Sequence, residues 1–225
     1  MNVKLIAYTK GINGESPEKI IELAARTSHK SFSRMEEGSE RKLIRHLIKL
    51  GHLSVLEHAS ATFRIKGISR ACTHQLVRHR LASFTQESQR YVNEKNFEYI
   101  IPPDIQDSDN PEIEIYFNGA MEGLREIYRK LISLGIKKED ARFVLPNATI
   151  SEIVMSANFR EWLHIINLRV SKEAQWEIRE LCILCWKELY KIAPTVFNVE
   201  SFQNTTTKAD YDNKEDIFRT KVIRD

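Results

Sequence analysis

The chain has 225 residues, 42% of them hydrophobic, and its 34 lysines and arginines against 31 acidic residues leave a net charge of +3. That is enough for a normal globular core in one large or two small domains, and it excludes the strong overall basicity of a dedicated nucleic-acid binder. No apolar run reaches the roughly 18 residues of a membrane span, nothing at Met1 reads as a signal peptide, and an odd count of three cysteines argues against a disulfide framework, so a cytoplasmic protein is expected.

In chain order, Val3 to Thr9 reads as a short buried strand. Ser16-Pro17 opens a helix to about Ser28, with proline at the first helical position. A second helix from about Ser39 to Leu50 is expected to bury Leu43, Ile44, Leu47 and Leu50, stop at Gly51 and deliver His52. From Ser54 to Lys66 the period changes to two, with Ala61, Phe63 and Ile65 on one face of a strand broken by Gly67. Ser69 should cap a helix ending near Arg80, followed by an irregular polar loop, and Phe97 to Ile101 reads as a strand ended by Pro102-Pro103.

Asn110-Pro111 should start a long amphipathic helix through Leu134, with Gly135 as its stop. Lys138 to Phe143 is a short helix and Ala148 to Ser156 a strand. Asn158 begins a helix that turns Leu163, Ile165, Ile166 and Leu168 inward, and Ser171 is expected to cap a last helix through Ile192, ended by Pro194. The strands are not interleaved as βαβ units. The fold class is therefore α+β, a helix-rich single domain over 1–202 with a small, mostly antiparallel sheet and long helices, and 203–225 reads as a polar, flexible tail.

The most chemical stretch is RHRLASFTQESQRY, Arg78 to Tyr91. It places three arginines among hydroxyls and neutral amides with one carboxylate. Arginine forks hold phosphate bidentately and hydroxyls with amides complete the bonding, which suggests a phosphorylated ligand rather than a solvated charge run. There is no GxGxxG and no P-loop, so a nucleotide would be held by side chains and loops. His46, His52, His58, His74 and His79 form no metal-ligating pair, and no metal site is expected. His52 and His58 flank Ser54 and Glu57 and fit either a pocket or a structural role. Cys182 and Cys185 match C-x-x-C but sit within a helical apolar pattern and read as core.

The same stretch resembles the signature RHRxxSxxxxSxRY of the flavin-dependent thymidylate synthases, with Arg78, His79, Arg80, Ser83, Ser88, Arg90 and Tyr91 at every fixed position. The resemblance extends to GHLSVLEH (51–58), Gln75, RFVLPN (142–147) and the run from Asn158 to Arg179. It implies methylene transfer from methylenetetrahydrofolate to dUMP, tightly bound FAD as hydride source, NADPH as reductant, and a homotetramer with shared active sites. Neither nucleic acid nor membrane is implied as a partner. Carried over by position, it implies that Ser54, Arg78, His79, Arg80, Gln86, Asn158, Phe159, Arg160 and His164 hold FAD. Gln75, Leu76, Val77, Arg78, Gln86, Glu87, Ser88, Gln89, Arg90, Arg142 and Arg169 would hold dUMP. Arg169 would also be catalytic, and His52 and Tyr91 would offer a face to folate or nicotinamide. Gln86 stands where some members have glutamate, and Glu173 where some have histidine.

Two other classes fit parts of the sequence. A nucleic-acid module would use Arg64, Lys66, Arg70, Arg78 and Arg80 on phosphates, and a redox protein would use Cys182 and Cys185.

Overall fold

The computed structural model describes residues 1–198; the tail expected over 203–225 lies outside the described residues. The architecture is α+β, with four strands in one antiparallel sheet of order β1-β2-β4-β3. The strands are β1 (Asn2–Tyr8), β2 (Ser60–Ser69), β3 (Ser83–Gln86) and β4 (Ile150–Asn158), and the helices are α1 (Pro17–Thr27), α2 (Ser39–Lys49), α3 (Arg70–Leu76), α4 (Pro103–Gln106), α5 (Pro111–Ser133), α6 (Lys138–Ala141), α7 (Phe159–Arg169) and α8 (Trp176–Ile192). Contacts gather into two compact units, one formed by 1–2, 65–78 and 84–154, the other by the remainder.

In the second unit, Ser16 caps α1 by accepting from the Lys19 N–H, and Asn158 caps α7 by accepting from the Glu161 N–H. Gly51, at φ 74°, ends α2 in the left-handed conformation that costs glycine least. The buried face of β2 carries Ala61 and Phe63, and the Phe63 ring meets Trp162 of α7 edge-on at 5.0 Å. Cys182, Cys185, Trp186 and Leu189 of α8 are fully buried. Burial pushes the Cys182 thiol up to about 12, so the C-x-x-C pair is packing and not a redox centre.

Two buried carboxylates brace this unit. Glu22 accepts from Lys19, Arg26 and Ser39, joining α1 to α2; burial alone would raise its pKa, but these donors outweigh it and lower the value. Glu18, in the first turn of α1, accepts from the Thr195 N–H at 2.6 Å, the Thr195 hydroxyl at 2.9 Å and the Val196 N–H at 3.3 Å.

In the first unit, Ser69 caps α3 through the Cys72 N–H, and Ile65, Ile68, Cys72 and Leu76 are buried. Arg125 and Arg129 of α5 donate to the backbone carbonyls of Phe97 and Lys95, which fixes that turn against the helix. Of the 23 residues of α5, only Met121 and Tyr128 are buried.

Several expectations are corrected. β1 is half-exposed, not buried, because it is an edge strand. Residues 53–58 form a 3-10 helix, and β2 begins at Ser60 and runs through Gly67 to Ser69. α3 ends at Leu76, short of Arg80, and part of the expected loop pairs as β3. Around Tyr99 there is only an isolated bridge to Thr149. Gln175, not Ser171, caps α8, its side-chain oxygen Oε1 accepting from the N–H groups of Glu177 and Ile178. Leu50 and Leu168 are about half exposed, since each lies in or beyond the last turn of its helix, off the buried stripe.

Candidate functional site

In the first unit, the later part of the signature, from Phe84 to Tyr91, runs through β3 and the turn after it. The Gln86 amide nitrogen donates to the hydroxyls of Thr73 and Ser151, both at 3.0 Å. With both N–H groups committed, the amide cannot flip and its carbonyl is presented on the other side. The backbone N–H of Glu87 pairs with the Glu152 carbonyl, and those of Tyr91 and Val92 with the Ser88 carbonyl, so Gln86 to Tyr91 is a held turn. Arg90 belongs to this turn, its N–H donating to the Ser88 hydroxyl, but its side chain is exposed, paired with Glu139 at 3.3 Å and stacked against the exposed Tyr91 ring.

Arg70 and Arg142 sit close enough to repel. Burial first and the Arg142 charge second lower the Arg70 pKa, while Glu94 and Glu87 act against them. Two neighbouring guanidiniums are an electrostatic demand for an anion. Glu94 itself is buried and its pKa raised, by burial first and the Glu87 charge second, so it is a weak counter-ion. Arg70 is the residue missed in the candidate site; in the sequence it surfaces only as a phosphate contact in the nucleic-acid reading. Lys66, another member of that reading, is paired with Glu152 at 3.2 Å.

In the second unit, a cavity of about 630 Å³ is bounded by the end of α1, one face of α2 and residues 51–58. Its rim carries His52, Ser54 and Arg160, three of the residues singled out in the sequence, together with Arg26, Ser28, Ser31 and His58, beside apolar Leu43, Leu47 and Val55. No carboxylate lines it. Arg160 is held by Glu57 at 2.6 Å.

Polar residues of α7 gather around the buried His79. The Arg169 Nε donates to His79 Nε2 at 3.0 Å, the His79 Nδ1 is 3.8 Å from Glu161, and the His164 ring stands edge-on at 6.1 Å. Burial, then the Arg169 and His164 charges, push the His79 pKa down to about 4. The acceptor role of Nε2 and the low pKa agree: His79 is neutral, with its proton on Nδ1. The Glu161 carboxyl is raised by burial, against the pull of His164.

Some sequence candidates cannot present side chains to a ligand. Phe159 is fully buried, Leu76 is 1% exposed and Gln89 is at the edge of burial, because α7, α3 and the turn aim them into the packing; only their backbones remain available. Asn158 spends its side-chain oxygen on the α7 cap, and His79 is turned inward onto Arg169. Arg78, Val77, Arg80, Ser54, His52 and His164 are exposed, and Gln75, Glu87, Ser88 and Arg142 are half-buried.

A family model described as thymidylate synthase complementing protein matches residues 4–195. The chain is 39% identical over 227 aligned residues to a protein of Mycobacterium sp. (strain JLS), covering 88% of this chain and 89% of that one. It is 40% identical over 205 residues to one of Geobacter sulfurreducens, covering 88% and 85%, and 38% identical over 213 residues to one of Mycobacterium leprae (strain Br4923), covering 85% and 82%; all three are named flavin-dependent thymidylate synthase. With its signature turn, its paired guanidiniums and these matches along most of its length, the chain belongs to the thymidylate synthase complementing protein family, that of the flavin-dependent thymidylate synthases.

Proposed function

We propose that this chain is a flavin-dependent thymidylate synthase: it moves a methylene group from methylenetetrahydrofolate to carbon 5 of dUMP, and the product is dTMP. The observation that carries the reading is the RHRLASFTQESQRY signature, whose last six residues fold as a held turn near the Arg70 and Arg142 guanidiniums. The acid-free cavity of the second unit, with its serines, histidines and Arg160 along an apolar wall, fits part of a phosphate-bearing cofactor with a flat ring. FAD, once bound and reduced by NADPH, supplies hydride there.

The residues divide the remaining work. Arg90 takes the dUMP phosphate with Ser88, Arg142 and Arg70. Its surface pair with Glu139 is worth about 0–1 kcal/mol, so a phosphate displaces the carboxylate at little cost. The fixed Gln86 carbonyl accepts from the uracil N3–H. Gln75, Arg78 and the backbone of Leu76, Val77, Glu87 and Gln89 complete the nucleotide site. Ser54, Arg78, Arg80, Arg160 and His164 hold the flavin through their side chains, with His79, Asn158 and Phe159 contributing only backbone. Arg169, oriented by neutral His79, supports the negative charge that builds on the uracil ring. His52 and Tyr91 face the folate or nicotinamide.

These residues come from both compact units, which suits active sites completed by neighbouring copies in a homotetramer. The exposed face of α5 supports such an assembly: Tyr116, Gly119, Gly123 and Ile127 recur at helical spacing, and a Cβ at either glycine would meet open space. No helix among the described residues is long and apolar enough to cross a membrane. Soluble substrates and three buried thiols suit the cytoplasm.

The test is a preparation purified with FAD and assayed for dTMP. Flavin absorbance, and dTMP formation that needs dUMP, methylenetetrahydrofolate and NADPH together, are expected. A colourless protein that takes up no FAD and makes no dTMP would end the reading.

A further inference from the structure

The solvent side of α2 carries a basic stripe that the reading above leaves without a task. Lys42, Arg45, His46 and Lys49 recur at spacings of three and four and are all exposed. None of them forms an ion pair or hydrogen bond to a described carboxylate. Some basic side chains of the same unit are neutralised, Lys19 and Arg26 by Glu22, Arg160 by Glu57 and Lys191 by Glu188, whereas these four stand together on one helix face.

A structural role explains part of the stripe. His46 and Lys49 fall in the last turn, where cations favour the negative end of the helix. Lys42 and Arg45 lie a turn or more earlier, where that interaction has faded, so the helix alone does not account for them. The stripe also has a definite neighbour. On the adjoining face of α2, Leu43 and Leu47 line the cavity, and the chain leaves the helix through Gly51 directly into His52 and Ser54 on the same rim. From Lys42 to Lys49 the rise is about 10 Å. Positive charge thus runs along the outside of the helix whose inner side closes the cavity.

The co-substrate offers a matching shape. A folate with its pterin at this rim must send its p-aminobenzoyl-glutamate end outward, and each further γ-linked glutamate adds one carboxylate to a flexible chain. We infer that the Lys42, Arg45, His46 and Lys49 face of α2 is a subsite for the poly-γ-glutamate tail of the folate co-substrate. It rests on the thymidylate synthase reading. Each carboxylate meets one exposed ammonium or guanidinium, an interaction worth about 0.2–1 kcal/mol, so three of them favour the long-tailed folate by roughly 3- to 150-fold at low salt and by less as salt rises.

The experiment measures kcat/KM on the FAD-loaded enzyme for monoglutamyl and pentaglutamyl methylenetetrahydrofolate, at low and high salt. The wild type should prefer the pentaglutamate, mainly through KM. A Lys42→Gln, Arg45→Gln, Lys49→Gln variant should lose that preference while its monoglutamate kcat/KM stays within about twofold. A control variant with Lys130→Gln, Lys137→Gln and Lys191→Gln removes equal charge elsewhere and should keep it. Flavin absorbance and circular dichroism confirm that both variants are folded. A wild type indifferent to tail length, or a preference that survives the α2 variant or vanishes equally in the control, overturns the subsite. Absence of dTMP formation by the wild type with the monoglutamate instead defeats the synthase reading on which the subsite rests.

Discussion

Arg90 and His79 are neighbours in one signature and have opposite fates. Arg90 is exposed and weakly paired, so its fork is available; Arg90→Lys keeps the charge but loses bidentate geometry, and the KM for dUMP should rise by about 10-fold or more while flavin content is unchanged. His79 is buried and held neutral, with a pKa near 4 against 6.5 when unfolded. The unfolded chain therefore binds the extra proton between these values, so His79 subtracts stability as pH falls from about 6.5 to 4, by at most about 3 kcal/mol, and has no effect above that window. Glu161, raised by burial, takes a proton early in the folded state and offsets part of the loss. His79→Gln should flatten the slope of denaturation midpoint against pH in that window and lower kcat through Arg169. The signature singled out both residues as site candidates. Their division of labour was not, because whether a side chain points outward or inward depends on α7, which lies some 80 residues further along the chain.

At the scale of elements, the periodic ones were readable and the short ones were not. α1, α2, α5 and α7 each carry their own cap or glycine stop, information contained within a few residues. β3 is four residues in a polar stretch, and only pairing to a partner strand makes it a strand; the same dependence reduced the run around Tyr99 to a bridge. Gly67 was misjudged for a related reason: its positive φ of 70°, which costs glycine little, lies within β2, and the strand runs on to Ser69. α5 was readable as a helix, but its amphipathicity pointed to a core that its own unit does not supply. If copies associate through the α5 face, as proposed above, a Tyr116→Glu, Ile127→Glu variant should weaken that association by at least about 30-fold in sedimentation, and activity should fall with it.

Across the whole molecule, mixing inactive Arg78→Ala and Arg169→Ala proteins should restore part of the activity if neighbouring copies complete each other's sites, and failure at every ratio would count against that pairing. The Glu18 bond to Thr195 joins residues 177 positions apart, and Glu18→Ala should cost about 3 kcal/mol in chemical denaturation by stranding two buried N–H groups. The same bond sets a schedule for synthesis. The Glu22 network of α1 closes as soon as Ser39 has been made, but Glu18, one turn earlier on the helix, has no partner until Thr195 follows. A nascent chain halted before that point carries a helix half secured at one end, with a carboxylate facing an unfilled seat. Proteolysis of ribosome-stalled intermediates should find α1 cleavable until the codon for Thr195 has been read and its residue has cleared the tunnel, and protected afterwards.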